Sequence, residues 1–250
     1  MSLISKLKKR LGSGDLIRRN DVQLIRPGYA LRHEGCDMLV LGTGSSILDY
    51  QNEIRAFSET ENLVVIGVNN AFEMFSLDYV GFTNRDRFST FGRRQASEST
   101  RALLSIYFTD EQIKKWCNMS HDLVMWRDTR NPNVCAIDED GIISQHGSVG
   151  TLMVLVAYVM GARRVYVAGM DGADESQLTH ENIHFRTIDY KPYLTEKERE
   201  KKYRHWLTDI LPQTFAAIHA WNVSIGRTPF VSLTPTYYGD YFDPNLLGIR

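Results

Sequence analysis

Neither sign of charge predominates in this chain: 29 lysines and arginines stand against 30 aspartates and glutamates. So even a balance offers no broad field for phosphates, and nucleic acid is not an expected partner. Cysteine is scarce. Cys36, Cys117 and Cys135 share no metal-type spacing. An odd, sparse set suggests a reducing compartment, with each thiol a small core residue rather than a ligand. No apolar run approaches ~18 residues, so no transmembrane span is expected. Met1 to Leu11 has neither the apolar stretch nor the cleavage site of a signal peptide, which makes the cytoplasm the expected location. No internal repeat and no low-complexity linker interrupts the chain.

What is present is a single long run of alternating elements. A chain of 250 residues can bury most of its apolar surface as one large domain, or as a domain with a lid. Residues 1–35 read as an N-terminal extension and 36–250 as the domain, with a lid at about 172–205. In the extension, Leu3, Ile4, Leu7 and Leu11 share one helical face, and Lys6, Lys8, Lys9 and Arg10 lie around the other. Such a helix can rest on the anionic inner face of a membrane, or be no more than a solvated, fraying end.

Strands and helices alternate from Met38 onward. Met38 to Leu41 is a short apolar strand ending at Gly42, and Ser45-Ser46 is positioned to cap a helix through Ile47, Ile54 and Phe57. Leu63 to Val68 is a second strand, Ala71 to Phe75 a helical turn, and Leu77 to Phe82 a third strand. The pattern predicts helices over Arg93 to Tyr107 and Asp110 to Met119, and a strand at Leu123 to Trp126. Ser148 opens an apolar helix that ends at Gly161, followed by the strand VYVAGMD. Apolar runs on both helix and strand predict an α/β fold: a Rossmann-like parallel sheet with helices on both faces, plus the lid segment. Gly172 to Tyr193 is polar and aperiodic. Glu196 to Leu211 is a charged helix that Pro212 should break or restart. Val223 to Ile225 and Phe230 to Leu233 read as late strands, and the tail from Pro235 as a surface wrap.

Ligands of open α/β sheets bind beyond the carboxyl ends of the strands. Those ends supply Gly42, Thr43, Gly44 and Ser45, then Asn69 and Asn70, then Asn84 with Arg85 and Asp86, then Gly169, Met170 and Asp171. Ser148, Val149 and Gly150 add a helix N-terminus. Glycine admits close backbone approach, and N–H groups there attract phosphate. Each piece has a plainer reading, as turn chemistry for GTGSS and as caps for Asn69-Asn70 and Asp171. Their joint arrival at one sheet edge favours a nucleotide site.

The histidines divide. His180 and His184, in THENIHF, could serve as a general base or phosphate ligand, or be solvated. Their spacing of four suits a metal, but no third ligand stands near. His205 lies on the charged helix and reads first as structural, and His219 as a packed helix residue. Arg85, Arg87, Arg93 and Arg94 could hold an anionic sugar or phosphate, or form a solvated basic face.

Three stretches, LVLGTGSSILDY, VIGVNNAFEMFSLDYVGFTNRDRF and GSVGTLMVLVAYVMGARRVYVAGMDG, resemble the sialyltransferase-like superfamily. This takes in bacterial CMP-sialic-acid-dependent sialyltransferases and bacterial surface-polysaccharide proteins related to archaeal hydroxymethylpterin diphosphokinases. The resemblance runs from about Met38 to Gly172, and its third stretch is the most specific. It implies that Gly42, Thr43, Gly44 and Ser45 contact the phosphate and sugar of a cytidine nucleotide, and that Asn69 and Asn84 stand at the donor site. It implies that Ser148, Val149 and Gly150 lie at the base or donor-sugar end, and Gly169, Met170 and Asp171 at the ribose and base. Ser45-Ser46 departs from the Pro-Ser frequent in the bacterial enzymes. The implied activity is metal-independent transfer of a sialic acid or Kdo-type sugar from a CMP-activated donor to a surface glycan or glycolipid. No cofactor beyond the donor is needed, and His180, His184 or His205 acts as base. The alternatives are a Mg²⁺-dependent diphosphokinase-like enzyme using Asp171, Asp174 and Glu175, and a non-catalytic nucleotide-binding module.

Overall fold

A computed structural model of the chain describes residues 28–94, 98–138, 141–145, 148–172 and 204–248. The first strand, β1 (Asp37–Leu41), is buried throughout. Two short helices follow, α1 (Ser46–Asp49) and α2 (Gln51–Thr60), and then β2 (Val64–Val68). The helix anticipated after Ser45-Ser46 is thus interrupted at Tyr50. A 3-10 turn at Ala71–Glu73 leads to β3 (Tyr79–Phe82). Next come α3 (Arg85–Phe91), β4 (Arg101–Ser105), α4 (Asp110–Trp116), and β5 (His121–Val124). The long helix anticipated over Arg93 to Tyr107 is therefore wrong. Arg-Ala-Leu-Leu-Ser forms a strand beside the edge strand β5, buried from Ala102 to Ser105, whose apolar residues match either period, and tertiary burial decides between them.

A small second sheet interrupts the alternation. It contains β6 (Trp126–Asp128), β7 (Cys135–Asp138) and β8 (Gly141–Ser144) in the order β6-β8-β7. The strand anticipated at Leu123 to Trp126 is in fact split at Met125 between the two sheets. The chain re-enters the main sheet through α5 (Val149–Val159) and β9 (Arg164–Ala168). After the undescribed stretch, a π-helical segment at His205–Ile210 runs into α6 (Leu211–Ser224), and β10 (Val231–Ser232) closes the edge. Pro212 does not break this helix. It stands in the first turn of α6, where its missing N–H is not needed. Val223 belongs to the end of α6 rather than to a strand.

The main sheet has seven strands in the order β10-β9-β1-β2-β3-β4-β5, and every described pairing within it is parallel. Its strands are apolar without alternation because both faces are covered. In β1, Met38 and Val40 enter one core with α5 and α6, while Leu39 and Leu41 enter the other. The same alternation sends Val165 and Val167 of β9 to the first core and Tyr166 and Ala168 to the second. Helices on both faces of a parallel sheet make this a Rossmann-like α/β fold.

The packed region begins before residue 36. Tyr29 is fully buried, and the N–H groups of Leu31, His33 and Gly35 bond to Val159, Met160 and Gly161 at the end of α5. Cys36 is exposed, against the expectation of a core thiol, while Cys135 is half-buried and burial pushes its thiol up to about 12. Among the described residues no helix is long and apolar enough to cross a membrane. The candidate membrane helix at Leu3 to Leu11 lies outside the described residues.

Candidate functional site

The chain leaves β1 in one direction through β2, β3, β4 and β5, then returns to add β9 and β10 on the other side of β1. The boundary between β1 and β9 is therefore a topological switch point. Connections diverge there, and a crevice opens beyond the carboxyl ends of the strands. A cleft with about 110 Å³ of open space lies at this point. Gly42, Thr43 and Gly44 follow β1 into it, Asn69 follows β2, and Gly169, Met170, Asp171 and Gly172 follow β9. Ser148, Val149 and Gly150, at the start of α5, complete the polar side, and Leu207, Leu211, Phe215 and Tyr238 form an apolar wall.

Ten of the residues singled out from the sequence thus meet in one cleft. Ser45 and Asn84 are not among its lining residues. Asn84 is an N-cap: its side-chain oxygen accepts from the N–H groups of Asp86 (2.9 Å) and Arg87 (3.2 Å) at the start of α3. Arg85, Arg87, Arg93 and Arg94 also lie outside the lining. Arg85 sits over the Trp116 ring, Arg94 over Phe91, and Arg93 donates to the Lys114 carbonyl. His180 and His184 are outside the described residues.

The glycine-rich turn owes its glycines to contacts within the protein. A Cβ on Gly42 would lie 2.2 Å from the Gly169 carbonyl oxygen, so the ends of β1 and β9 touch backbone to backbone. A Cβ on Gly44 would lie 2.5 Å from Cγ of Asp171. The donors of the turn are engaged as well. The Gly42 N–H goes to the Ala168 carbonyl and the Gly44 N–H to the Gly169 carbonyl, each at 2.7 Å. The Ser46 N–H donates to Asp171 Oδ2 at 2.7 Å, and the Ser46 hydroxyl to Asp171 Oδ1 at 2.5 Å. Three N–H donors of this turn, those of Gly42, Gly44 and Ser46, are thus committed to the β9 end and to a carboxylate of the chain itself.

Burial raises the pKa of Asp171; the bonds from Ser46 oppose that rise, and Asp49 adds to it. Tyr238 beside it is raised too, first by its burial and then by the Asp171 charge. The C-terminal tail fastens this region. The Gly169 N–H donates to Thr234 Oγ1, Thr236 Oγ1 donates to the Met170 carbonyl, and the Tyr237 N–H to the Asp171 carbonyl.

The N-terminus of α5 differs from the turn. Ser148 Oγ accepts from the Gly150 N–H at 3.1 Å, leaving the rest of the first turn beside the cleft. Every residue from Gly150 to Tyr158 is buried, so the helix dipole acts there in a poorly screened environment. Asn69 faces the same cleft from a left-handed backbone, φ 52°, which a non-glycine residue adopts at a cost. Its Oδ1 is buried and has no hydrogen-bond partner among the described residues.

His205 opens the π-helical segment, two residues before Leu207 of the apolar wall. Its Nδ1 pairs with Asp209 Oδ2 at 2.8 Å, both side chains being exposed. That bond holds the ring in one orientation and draws the Asp209 carboxyl below its usual range. His219 packs against Phe230 and Tyr241, as a core helix histidine does. Among the described residues no group of three or more His, Cys, Asp or Glu side chains is arranged to hold a metal.

Sequence reasoning missed the apolar wall. The spacing of Leu207, Leu211 and Phe215 by four marks one helical face, but the face reads equally as plain core. A comparison with protein-family models finds no match, and a comparison with curated protein sequences finds none either.

Proposed function

We propose that the cleft binds a nucleotide and that the protein is a glycosyltransferase using a CMP-activated acidic sugar of the sialic acid or Kdo type. The observation that carries the reading is the position of the cleft at the β1/β9 switch point, lined by glycine-rich turns and by a helix N-terminus. In this reading the phosphate sits at the start of α5 rather than in the Gly42–Ser46 turn. The N–H groups of Gly42, Gly44 and Ser46 are already bonded, whereas the start of a buried helix offers a poorly screened positive end.

The transfer would follow from these parts. A base takes the proton from an acceptor hydroxyl of a surface glycan or glycolipid. The oxygen attacks the anomeric carbon, and the bond from that carbon to the phosphate oxygen breaks, CMP departing with the electron pair. Charge grows on the departing phosphate, where the α5 N-terminus stabilises it without reorganising. His205, oriented by Asp209, is the described candidate for the base, with Nε2 as the accepting nitrogen. His180 and His184 compete for the role from outside the described residues.

A thermal-shift screen of CMP, CDP, ATP and GTP with and without Mg²⁺ tests the reading. Stabilisation by CMP in EDTA supports it. Stabilisation by ATP only with Mg²⁺ would replace it with a diphosphokinase-like activity, and no response to any nucleotide would sink it.

A further inference from the structure

Among the described residues lining the cleft, Asp171 carries the formal charge. Its carboxylate is held in place from several sides. Ser46 donates to both oxygens, the backbone of Gly44 lies against the carboxyl carbon, and the main chain is tied by Tyr237. It cannot turn toward Gly44, and moving elsewhere would leave the Ser46 N–H unpaired. Asp49, the charged neighbour on α1, is also an anion. An entering ligand therefore meets a fixed negative charge in a poorly screened place, in the same cleft that the start of α5 lines.

We propose that Asp171 is a specificity-determining residue that restricts the cleft to nucleotides with a single phosphoryl group. The proposal rests on the nucleotide reading above. One phosphoryl group can occupy the start of α5. A second must either approach the Asp171 carboxylate or leave the cleft, and both weaken binding. A CMP-linked sugar satisfies this limit because its phosphodiester bears a single negative charge.

Asp171→Asn separates charge from shape. The amide oxygen can accept the Ser46 N–H, and the amide nitrogen can donate to Ser46 Oγ, so the loop keeps its bonds while the charge is lost. Calorimetry with CMP and CDP in EDTA is the measurement. The wild-type protein should bind CMP about tenfold or more tighter than CDP, as like charges a few ångströms apart require. Asp171→Asn should bring the two within about threefold, chiefly through tighter CDP binding. Equal affinities in the wild-type protein would overturn the proposal by themselves, whether or not the variant folds. A folded variant that keeps the preference would do so as well. Loss of CMP binding in a folded variant would make Asp171 a direct ligand instead. If the wild-type protein binds neither nucleotide, the nucleotide reading itself fails and takes this proposal with it.

Discussion

Ser46 and Asp171, 125 positions apart, are joined by two hydrogen bonds, from the Ser46 backbone N–H and from its hydroxyl to the two carboxylate oxygens. Helix ends are ordinarily capped by a residue beside them in sequence. Here the side chain that satisfies α1 comes from the far end of β9, so the cap is also a tertiary tie between two strand-end loops of the cleft. The neighbouring Gly42–Ala168 and Gly44–Gly169 backbone bonds extend the tie along the turn.

The first prediction follows from that tie. The space a Gly44 side chain would fill belongs to the Asp171 carboxyl. Gly44→Ala should therefore destabilise the protein by about 1–3 kcal/mol through overpacking. In an Asp171→Gly background the same substitution should cost clearly less, because the obstacle is gone. Urea unfolding of the wild type, both single variants and the double variant measures the coupling. Additive costs would mean that Gly44 and Asp171 do not compete for the same space.

The strands at the centre of the sheet were legible because burial on both faces writes an uninterrupted apolar run into the sequence, as in Met38 to Leu41 and Val165 to Ala168. The rule that ligands bind at strand ends brings most of the lining residues together from the sequence. What the sequence could not convey was which groups those residues would face. The glycines of the turn read as phosphate contacts, although Gly42 meets Gly169 and Gly44 meets Asp171, residues more than 120 positions away. Asn84, expected at the donor site, has its side-chain oxygen capping α3, because strand ends and helix starts use the same amide chemistry. The β6-β8-β7 sheet escaped notice since its strands are only three or four residues long and carry mixed burial.

The second prediction concerns pH. Burial alone would raise Asp37 and Asp122. Hydrogen bonds from Arg163 and Arg164 to the first, and from Arg32 and Arg101 to the second, outweigh it and hold both below the ordinary value of 3.8. A depressed folded pKa contributes stability that is present above the unfolded value and lost as pH falls through the folded one. Asp171 has the opposite sign. Its folded pKa is raised, so its ionisation works against the fold, and stability is lost as pH rises from about the unfolded value through the raised one. Thermal unfolding of Asp37→Asn and Asp171→Asn against the wild type between pH 3 and 7 reads the difference. Asp37→Asn should lose more Tm relative to wild type at pH 7 than at pH 3. Asp171→Asn should compare better with wild type at pH 7 than at pH 4. Parallel pH profiles for the two variants would contradict the assignment of signs.

The third prediction separates the fold from ligand binding at Asn69. Its backbone lies at φ 52°, in the region glycine occupies without penalty, and its N–H bonds to the Gly81 carbonyl regardless of side chain. Its buried Oδ1 finds no partner among the described residues, which costs stability until a donor arrives. Asn69→Gly keeps the backbone bond, relieves the dihedral strain and removes the unsatisfied oxygen. The added freedom of glycine in the unfolded chain opposes these gains. The stability of Asn69→Gly should therefore stay within about 1 kcal/mol of wild type. Asn69→Ala should be less stable than Asn69→Gly by about 1 kcal/mol, because alanine lacks the left-handed tolerance of glycine. CMP affinity should fall about tenfold in both variants, the typical loss when one hydrogen bond in a partly buried site is removed. Denaturant unfolding and calorimetry on the same preparations give the two readouts. If Asn69→Gly unfolds far more easily while binding CMP normally, Asn69 belongs to the architecture of the β2 end and not to the ligand.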